Sequence, residues 1–275
     1  MNLLEWMKTK IMGRGESPFK MPEERSTNEE IKGDFIQCSE EEVGRWDKEW
    51  LNYLLREYPY QLAPFHRYPD KPPLPNNPLD FLNLNLGWGP PLCLYCNREA
   101  IEGKAIMEMG CGCGNLGKLI SRYCDTYLGV DCSRIALAVA KLVSPSNCTY
   151  IHMNQHEELK GFFGWIDTIV SRFFWIHQNM EMAKKVLSFL EPFLKSNGKI
   201  YIDFFWPNPE EAIGFWKETS LIFSPDQPLS ESPSAVYKYS FEDVKKLILD
   251  FNYRIVHQEL HGASQRRYVI VEKIS

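Results

Sequence analysis

The sequence lacks an excess of basic residues. Its 275 residues include 31 lysines and arginines against 36 aspartates and glutamates, which gives a formal net charge of −5. Proteins dedicated to nucleic acids usually carry a basic surface, whereas Arg266-Arg267 and the scattered lysines look like an ordinary solvated surface. We therefore expect no nucleic-acid partner.

The sequence also lacks a long apolar run. No stretch approaches the roughly 18 to 20 uncharged apolar residues that a membrane-spanning helix needs, so we expect no membrane partner. The first ten residues, MNLLEWMKTK, carry Glu5 where a signal peptide would need an unbroken apolar core. We expect a cytoplasmic protein, in which the eight cysteines are thiols rather than a disulfide framework.

The cysteines do not form a convincing metal-binding motif. Cys93 and Cys96 make a C-x-x-C, while Cys111 and Cys113 make a C-x-C between glycines. Structural zinc sites instead repeat C-x₂₋₄-C pairs in knuckles, and we expect no metal. Because Cys93-Leu-Tyr-Cys96 follows Pro90-Pro91, we interpret it as part of a packed helix rather than as a redox motif.

Residues 1 to 103 contain no clear run of strands. Ser39-Glu-Glu-Glu42 has the spacing of a capping box, and the helix that follows carries Trp46 and Trp50 on its apolar face. Eight prolines between residues 64 and 91 exclude helix and central strand. We expect a helical and proline-rich N-terminal arm, which either wraps the core or forms a lid over a pocket.

Residues 104 to 275 alternate strand and helix signals. The predicted strands are 105–109, 126–131, 148–154, 167–174 and 199–206, and the predicted helices are 115–124, 133–143 and 181–194. This alternation predicts right-handed βαβ units and a parallel sheet covered on both faces. After a loop-rich insertion at 207–239 and a helix capped by Ser240, segments 253–260 and 266–274 are too closely joined for a parallel crossover, which predicts an antiparallel hairpin.

The run IMEMGCGCGNLG at residues 106–117 can be read in two frames. Gly112, Gly114 and Gly117 form the G-x-G-x-x-G of a dinucleotide-binding turn. Starting from Glu108 instead, the run is E-x-G-x-G-x-G, with glycines at 110, 112 and 114. Asp131 supplies the acid about 20 residues further on that either frame requires, so it does not discriminate between them.

Three features favour the second frame. Glycines at 110, 112 and 114 widen the permissive backbone toward the strand end, where a bulky group without phosphates could lie flat. Glu108, just before the turn, would repel a pyrophosphate but would be stabilised beside a ligand that carries an ammonium group. The predicted antiparallel hairpin is also foreign to a dinucleotide-binding sheet of six parallel strands. An NAD-dependent oxidoreductase is therefore the weaker alternative.

The order of motifs resembles that of the S-adenosylmethionine-dependent methyltransferases with a Rossmann-like sheet. The resemblance covers roughly residues 104 to 274 and rests on EMGCGCG, LGVDCSRIALAVA, DTIVSRFF, FLKSNGKIYI and the helix–hairpin tail. It implies an α/β fold with a doubly wound sheet of about seven strands, mostly parallel, with a C-terminal antiparallel hairpin. It also implies S-adenosyl-L-methionine as the cofactor.

The resemblance assigns roles to particular positions. Glu108 matches the acid near the methionine end of the cofactor, Gly110, Gly112 and Gly114 match the glycines beneath it, and Asp131 matches the acid that binds the ribose hydroxyls. Further matches are Cys132 against adenine, Asn154 or Gln155 at the adenine amino group, and Ser171 with Arg172 beside the methionine portion.

The acceptor side gives weaker signals. His177 follows the fourth strand, where acceptors lie in this family, and it is a candidate general base, although it is equally a packing histidine. Phe173, Phe174 and Trp175 either wall the methyl site or belong to the core. SRFF replaces the Asn- or Asp-Pro-Pro-aromatic run of base-amine and glutamine methylases, which leaves a small-molecule acceptor. The other alternative is a regulatory protein that binds the cofactor without catalysis.

Overall fold

The computed structural model describes residues 35–57, 62, 74–76, 81–84, 92–206, 221–232, 235–261 and 266–274. The strands of this part of the chain are β1 (Phe81–Leu84), β2 (Leu92–Tyr95), β3 (Ala105–Met109), β4 (Thr126–Asp131), β5 (Cys148–His152), β6 (Ile166–Ser171), β7 (Leu194–Phe205), β8 (Leu221–Phe223), β9 (Ala235–Tyr237), β10 (Tyr253–His261) and β11 (Arg266–Lys273).

The α-helices are α1 (Glu40–Asn52), α2 (Arg98–Ile101), α3 (Asn115–Ile120), α4 (Arg134–Val143), α5 (His156–Lys160), α6 (Met180–Leu190) and α7 (Phe241–Ile248). A π-helical turn, Tyr53–Glu57, continues α1, and 3₁₀ turns occupy Trp175–His177 and Glu191–Phe193. No helix within these described ranges is long and apolar enough to cross a lipid bilayer.

Seven strands form one sheet in the order β10-β11-β7-β6-β3-β4-β5. Strands β3 to β7 pair in parallel, whereas β11 runs antiparallel to both β7 and β10. The predicted fold class is therefore confirmed, including the C-terminal hairpin. Because β3 and β4 are buried at every position, helices cover the centre of the sheet on both faces. The carboxyl ends of these parallel strands meet at one edge, where an open α/β sheet binds its ligands.

Several predicted boundaries shift for local reasons. The strand predicted at 167–174 ends at Ser171, because Phe173 takes a left-handed backbone with φ of 54°. The helix predicted at 181–194 ends at Leu190, where Pro192 enters a 3₁₀ turn that leads directly into β7. β7 therefore begins at Leu194, five residues earlier than predicted. The strand predicted at 148–154 ends at His152, and the helix predicted at 115–124 ends at Ile120.

The helix predicted around Cys93 and Cys96 is wrong. Residues Leu92–Tyr95 form β2, which pairs antiparallel with β1 so that Cys93 faces Asn83 across the ladder. Pairing with a neighbouring strand overrides the weak helical preference of this short segment. Most of the proline-rich stretch lies outside the described residues.

The first described segment, residues 35–57, covers the carboxyl edge of the sheet, and we call it the cover segment. Its capping box is confirmed, since the Ser39 hydroxyl accepts the Glu42 N–H at 3.2 Å and the Glu42 carboxylate accepts the Ser39 N–H at 3.1 Å. Asp47 anchors α1 to the start of α4 by accepting the Ser133 hydroxyl at 2.7 Å and the Ile135 N–H at 3.0 Å. The cover segment is thus attached to the sheet by specific contacts.

Candidate functional site

The turn after β3 presents bare backbone at the carboxyl edge of the sheet. Gly110, Gly112 and Gly114 have φ of 73°, 51° and 71°, a region that favours glycine. Gly112 is also tightly covered, because an added Cβ would lie 2.3 Å from Cζ2 of Trp50 in the cover segment. Backbone conformation and space both require glycine at this position.

Asp131 joins the end of β4 to this turn. Its Oδ2 accepts the Gly112 N–H at 2.8 Å, and its Oδ1 accepts the Ser133 N–H at 2.8 Å. Burial raises the pKa of Asp131, while these backbone hydrogen bonds oppose the rise. Two of the predicted cofactor-binding elements, the acid and the glycine turn, therefore meet directly.

Glu108 lies on the other side of the turn, inside β3, and is 1% exposed. It accepts the Tyr127 hydroxyl and lies 3.5 Å from Nη2 of Arg172. Burial raises the pKa of Glu108 to about 7, although Arg172 and Tyr127 both favour its charged form. The Glu108 carboxyl therefore ionises near neutral pH, and a cation bound beside it would stabilise its ionised form.

Arg172 has unused hydrogen-bonding capacity. Its side chain is 11% exposed, and its buried Nε and Nη1 have no hydrogen-bond partner in the part of the chain that the structure describes. Buried donors of this kind are costly unless another group satisfies them. With Glu108 beside it, Arg172 offers a cation and an anion side by side, a pair that complements the ammonium and carboxylate groups of an amino acid.

Ser171 ties two strand ends together. Its hydroxyl donates to the Met109 carbonyl at 3.1 Å, which joins the last residue of β6 to the last residue of β3. The predicted methionine-side residue thus fixes the position of the glycine turn, and Arg172 follows it directly.

Of the three residues predicted at the adenine end, Asn154 contacts the start of the cover segment. Asn154 holds the Cys38 backbone at both ends, since its Oδ1 accepts the Cys38 N–H at 2.9 Å and its Nδ2 donates to the Cys38 carbonyl at 2.9 Å. Cys132 is partly exposed, and its carbonyl lies 2.8 Å from His152 Nε2. Gln155 is exposed, and its Oε1 accepts the His152 N–H at 2.9 Å while its Nε2 donates to Glu158.

His177 lies in the 3₁₀ turn after β6 and beneath α1. Its Nδ1 is 3.0 Å from the Ala235 carbonyl, which can only accept, so Nδ1 carries the proton and Nε2 is the basic nitrogen. The Trp46 ring meets the imidazole edge-on at 5.2 Å between centroids. Burial lowers the pKa of His177 to about 4, so the ring is neutral at physiological pH.

The loop next to His177 is held by a buried ion pair. Asp203 of β7 accepts the Phe173 N–H at 2.8 Å and lies 3.8 Å from Nε of Arg266. The Arg266 guanidinium lies 4.5 Å from the centre of the Phe173 ring, while that ring is 52% exposed. Trp175 is fully buried, so the predicted aromatic cluster divides between core and surface.

The interpretation of Arg266 as a solvated surface residue is wrong. Arg266 is 2% exposed and opens β11 on the same side as Tyr268 and Ile270, both buried. No signal in the sequence separates Arg266 from Arg267, because the residues that follow on both faces of β11 are buried: Tyr268 and Ile270 on one face, Val269 and Val271 on the other. Tyr127 was also missed, because nothing near it in sequence indicates that it contacts Glu108.

Comparisons with known proteins give similarities at low sequence identity. No protein-family model matches the chain, and no curated protein matches it. Among solved structures, a magnesium protoporphyrin IX methyltransferase from Synechocystis PCC 6803 with S-adenosylhomocysteine bound is 16% identical, covering 64% of this chain and 76% of its own, with a TM-score of 0.46. A methyltransferase from Methanosarcina mazei described as S-adenosylmethionine-dependent is 14% identical, covering 63% and 93%, with a TM-score of 0.48.

A third structure comes from work on the conversion of a disulfide bond into a thioacetal group during echinomycin biosynthesis. It is 13% identical, covers 84% of this chain and 92% of its own, and has a TM-score of 0.49. Identities this low do not transfer an activity, which depends on the site rather than on the fold. By the order and direction of its seven strands, the chain has the Rossmann-like fold of the S-adenosylmethionine-dependent methyltransferases.

Proposed function

We propose that this protein is an S-adenosylmethionine-dependent methyltransferase that acts on a small-molecule acceptor. The observation that carries the proposal is the position of two buried carboxylates, Glu108 and Asp131, on either side of a bare glycine turn. A dinucleotide would lay its pyrophosphate over that turn, where Glu108 repels it, whereas Asp131 suits the ribose of either ligand. A nucleoside joined to an amino acid places a neutral ribose and an ammonium group there instead.

At the nucleoside end, Asp131 receives the two ribose hydroxyls. Each of its oxygens accepts one backbone N–H and keeps a second lone pair for a hydroxyl donor. Cys132, which follows directly, packs on the adenine as a small apolar residue. Asn154 or Gln155 accepts a hydrogen bond from the adenine amino group. Asn154 Oδ1 already accepts the Cys38 N–H of the cover segment, but its second lone pair can accept this bond as well.

At the methionine end, the Glu108–Arg172 pair receives the amino-acid group. Glu108 accepts the ammonium, and the buried Nε and Nη1 of Arg172 donate to the carboxylate. This arrangement satisfies donors that otherwise have no partner in the described part of the chain. Ser171 orients the arginine by anchoring the end of β6 to Met109.

S-adenosylmethionine, when bound, supplies a methyl group on a positively charged sulfur. The chain contributes alignment of the acceptor and exclusion of water, the main sources of rate in a displacement with a neutral leaving group. His177 takes the proton of the acceptor at Nε2, since its Nδ1–H is already donated to Ala235. Its lowered pKa keeps this nitrogen unprotonated at neutral pH.

The acceptor lies over the ends of β6 and β7, bounded by Phe173 and by Trp46 of the cover segment. Residues 40–100 and the insertion at 207–239 supply specificity. Arg45 supports this arrangement by linking the two elements, donating to the Glu231 carbonyl at 2.9 Å. Aromatic walls and a neutral imidazole suit a small, partly apolar acceptor better than a polyanion.

A thermal-shift experiment tests the cofactor directly. A saturating amount of S-adenosylhomocysteine is expected to raise the melting temperature by several degrees, and NAD at the same concentration is expected to leave it unchanged. The reverse result would identify an NAD-dependent protein. Formation of S-adenosylhomocysteine in the presence of a metabolite extract then tests catalysis, and His177→Ala is expected to lower kcat by about 10²- to 10⁴-fold. Binding without turnover on any acceptor fraction would favour a regulatory cofactor-binding protein.

A further inference from the structure

A cavity lies at the amino end of the central strands, at the opposite edge of the sheet from the candidate site. It has a volume of about 210 Å³, and its walls come from the starts of β6 and β7, from α2 and from Lys104, which precedes β3. Thr168 in its wall lies about 10 Å along β6 from Ser171 at the other end of the strand. The cavity is therefore separate from the glycine turn and from the acceptor region.

An irregularity in the pairing of β6 with β7 shapes this cavity. Ile166 pairs with Leu194 and Thr168 pairs with Lys199, so one residue of β6 lies opposite four residues of β7. Residues 195–198 therefore bulge out of the ladder, and all four line the cavity. Bulges recur beside functional sites because they re-aim the side chains of a strand.

Three ammonium groups and two carboxylates line the cavity. Lys195 donates to Asp167 at 2.8 Å, and Lys199 donates to Glu99 at 3.2 Å. Lys104 is half-buried and forms no hydrogen bond or ion pair through its ammonium group with any residue that the structure describes. Three lysines against two acids leave a surplus of one positive charge in the lining, and Lys104 carries it.

The cavity also offers hydrogen-bond donors that the surrounding protein does not use. An ammonium group has three N–H donors, and Lys195 and Lys199 each give one of them to a carboxylate. The Glu99 side chain is 74% exposed, so its ion pair contributes little and leaves Lys199 able to turn to a ligand. Thr168 is 3% exposed, and its hydroxyl has no hydrogen-bond partner within the described ranges. A buried hydroxyl of this kind is costly unless a bound group satisfies it.

A phosphate group matches this set of donors. Its oxygens accept hydrogen bonds from several directions at once, and lysines bind it as point charges on flexible stems. A planar carboxylate is better matched by the fork of an arginine, and none of the described residues that line the cavity is an arginine. The two acids in the lining disfavour a polyanion, because one surplus positive charge balances only a small negative charge.

We propose that this cavity binds a single phosphate group, either free or carried by a small metabolite. Lys104, Lys195 and Lys199 balance its charge, and the Thr168 hydroxyl donates to one of its oxygens. The bond between Asp167 Oδ2 and the Ala105 N–H, 2.9 Å long, fixes one wall by joining the starts of β6 and β3. Binding at this edge of the sheet does not depend on the proposed function of the opposite edge.

Isothermal titration calorimetry of the folded, full-length protein with inorganic phosphate, at constant ionic strength, tests the site. We expect saturable binding with a Kd below about 10 mM. Lys104→Met is expected to weaken it about fivefold or more, and Thr168→Val about threefold or more. Lys246→Ala, at an exposed lysine of α7 that does not line the cavity, is expected to leave it unchanged. Circular dichroism shows whether Thr168→Val has folded, and Lys104→Met carries the test if it has not.

Two results of that titration would overturn the proposal. One is the absence of saturable phosphate binding to folded wild type. The other is an equal dissociation constant for phosphate in wild type and in Lys104→Met, which would place the phosphate outside the cavity.

Further titrations locate the site and identify the source of the phosphate. Saturating S-adenosylhomocysteine is expected to leave phosphate binding unchanged, whereas displacement of phosphate would place it at the glycine turn and overturn the proposal. Glycerol 3-phosphate that binds at least as tightly as inorganic phosphate would support a phosphorylated metabolite, and its exclusion would support free phosphate. Failure of S-adenosylhomocysteine to bind would overturn the proposed function while leaving the phosphate site standing.

Discussion

The carboxylate of Asp131 accepts the backbone N–H of Gly112 at 2.8 Å. This bond joins the end of one central strand to the turn that leaves its neighbour, so the acid and the bare backbone form one rigid unit. Trp50 lies against the same glycine from the cover segment. The glycine turn, the Asp131 carboxylate and the Trp50 ring of the cover segment therefore all meet at Gly112.

Replacement of Asp131 with alanine is expected to weaken binding of S-adenosylhomocysteine by about 1 to 3 kcal/mol, because the ribose hydroxyls lose a charged acceptor. Isothermal titration calorimetry measures the change. Asp125→Ala is the matched control, since Asp125 is exposed just before β4, at the end away from the glycine turn. Equal dissociation constants for wild type and Asp131→Ala would show that the ribose lies elsewhere.

Replacement of Gly112 with alanine is expected to destabilise the fold by more than Gly103→Ala. Both glycines have a left-handed φ, of 51° and 64°, and each alanine carries a backbone cost of about 1 to 2 kcal/mol. Only at Gly112 does the added methyl meet a side chain, Trp50, whereas nothing lies within 4 Å at Gly103. Urea denaturation of both variants separates the backbone cost from the steric cost.

A double-mutant cycle isolates that contact. Trp50→Ala is expected to remove the steric part of the Gly112→Ala penalty, so the two substitutions together cost less than their sum, by about 1 kcal/mol or more. Strict additivity would show that Trp50 does not lie against Gly112 in solution.

The affinity for S-adenosylhomocysteine is expected to rise with pH through the range in which Glu108 ionises. Burial raises the pKa of this carboxyl to about 7, and the ligand ammonium binds only the ionised form, so each pH unit below that value costs up to about tenfold in affinity. Titrations between about pH 5.5 and pH 7.5 measure the slope. In Glu108→Gln we expect a low affinity across this pH range and no rise of affinity with pH from this residue. The same rise in Glu108→Gln as in wild type would show that Glu108 does not cause the pH dependence.

Stability on the acid side is expected to depend on His177. Its pKa falls from an ordinary 6.5 to about 4 in the folded chain, so the unfolded chain binds this proton first as the pH drops. The free energy of unfolding therefore decreases from pH 6.5 down to about 4 on account of this residue. His177→Gln is expected to lose less stability than wild type between these limits in urea denaturation. If the free energy of unfolding fell equally with pH in wild type and His177→Gln, the imidazole would not be buried and neutral in the folded protein.

Local sequence signals predicted the centre of the fold well. The glycine turn, Asp131 and the N-cap Ser133 lie within short motifs whose backbone requirements are visible in the residues themselves. The antiparallel hairpin followed from the short connection between its strands. Short-range chemistry determines these features, so the sequence was sufficient for them.

Features that depend on distant partners were not predictable in the same way. The contact of Tyr127 with Glu108 and the contact of Trp50 with Gly112 join residues whose proximity only the folded sheet creates. The β1–β2 pairing reversed a helical interpretation for the same reason. The burial of Arg266 belongs to the same group, because buried residues follow it on both faces of β11 and only the folded sheet places Asp203 beside its guanidinium.

A crystal structure of the protein grown with S-adenosylhomocysteine tests the central claim most directly. We expect the ribose hydroxyls within hydrogen-bond distance of Asp131, the amino-acid group between Glu108 and Arg172, and no phosphate-sized group over Gly112. The same protein soaked with NAD is expected to show no ligand at the turn. A pyrophosphate lying over Gly112, with S-adenosylhomocysteine absent from the site, would contradict the account.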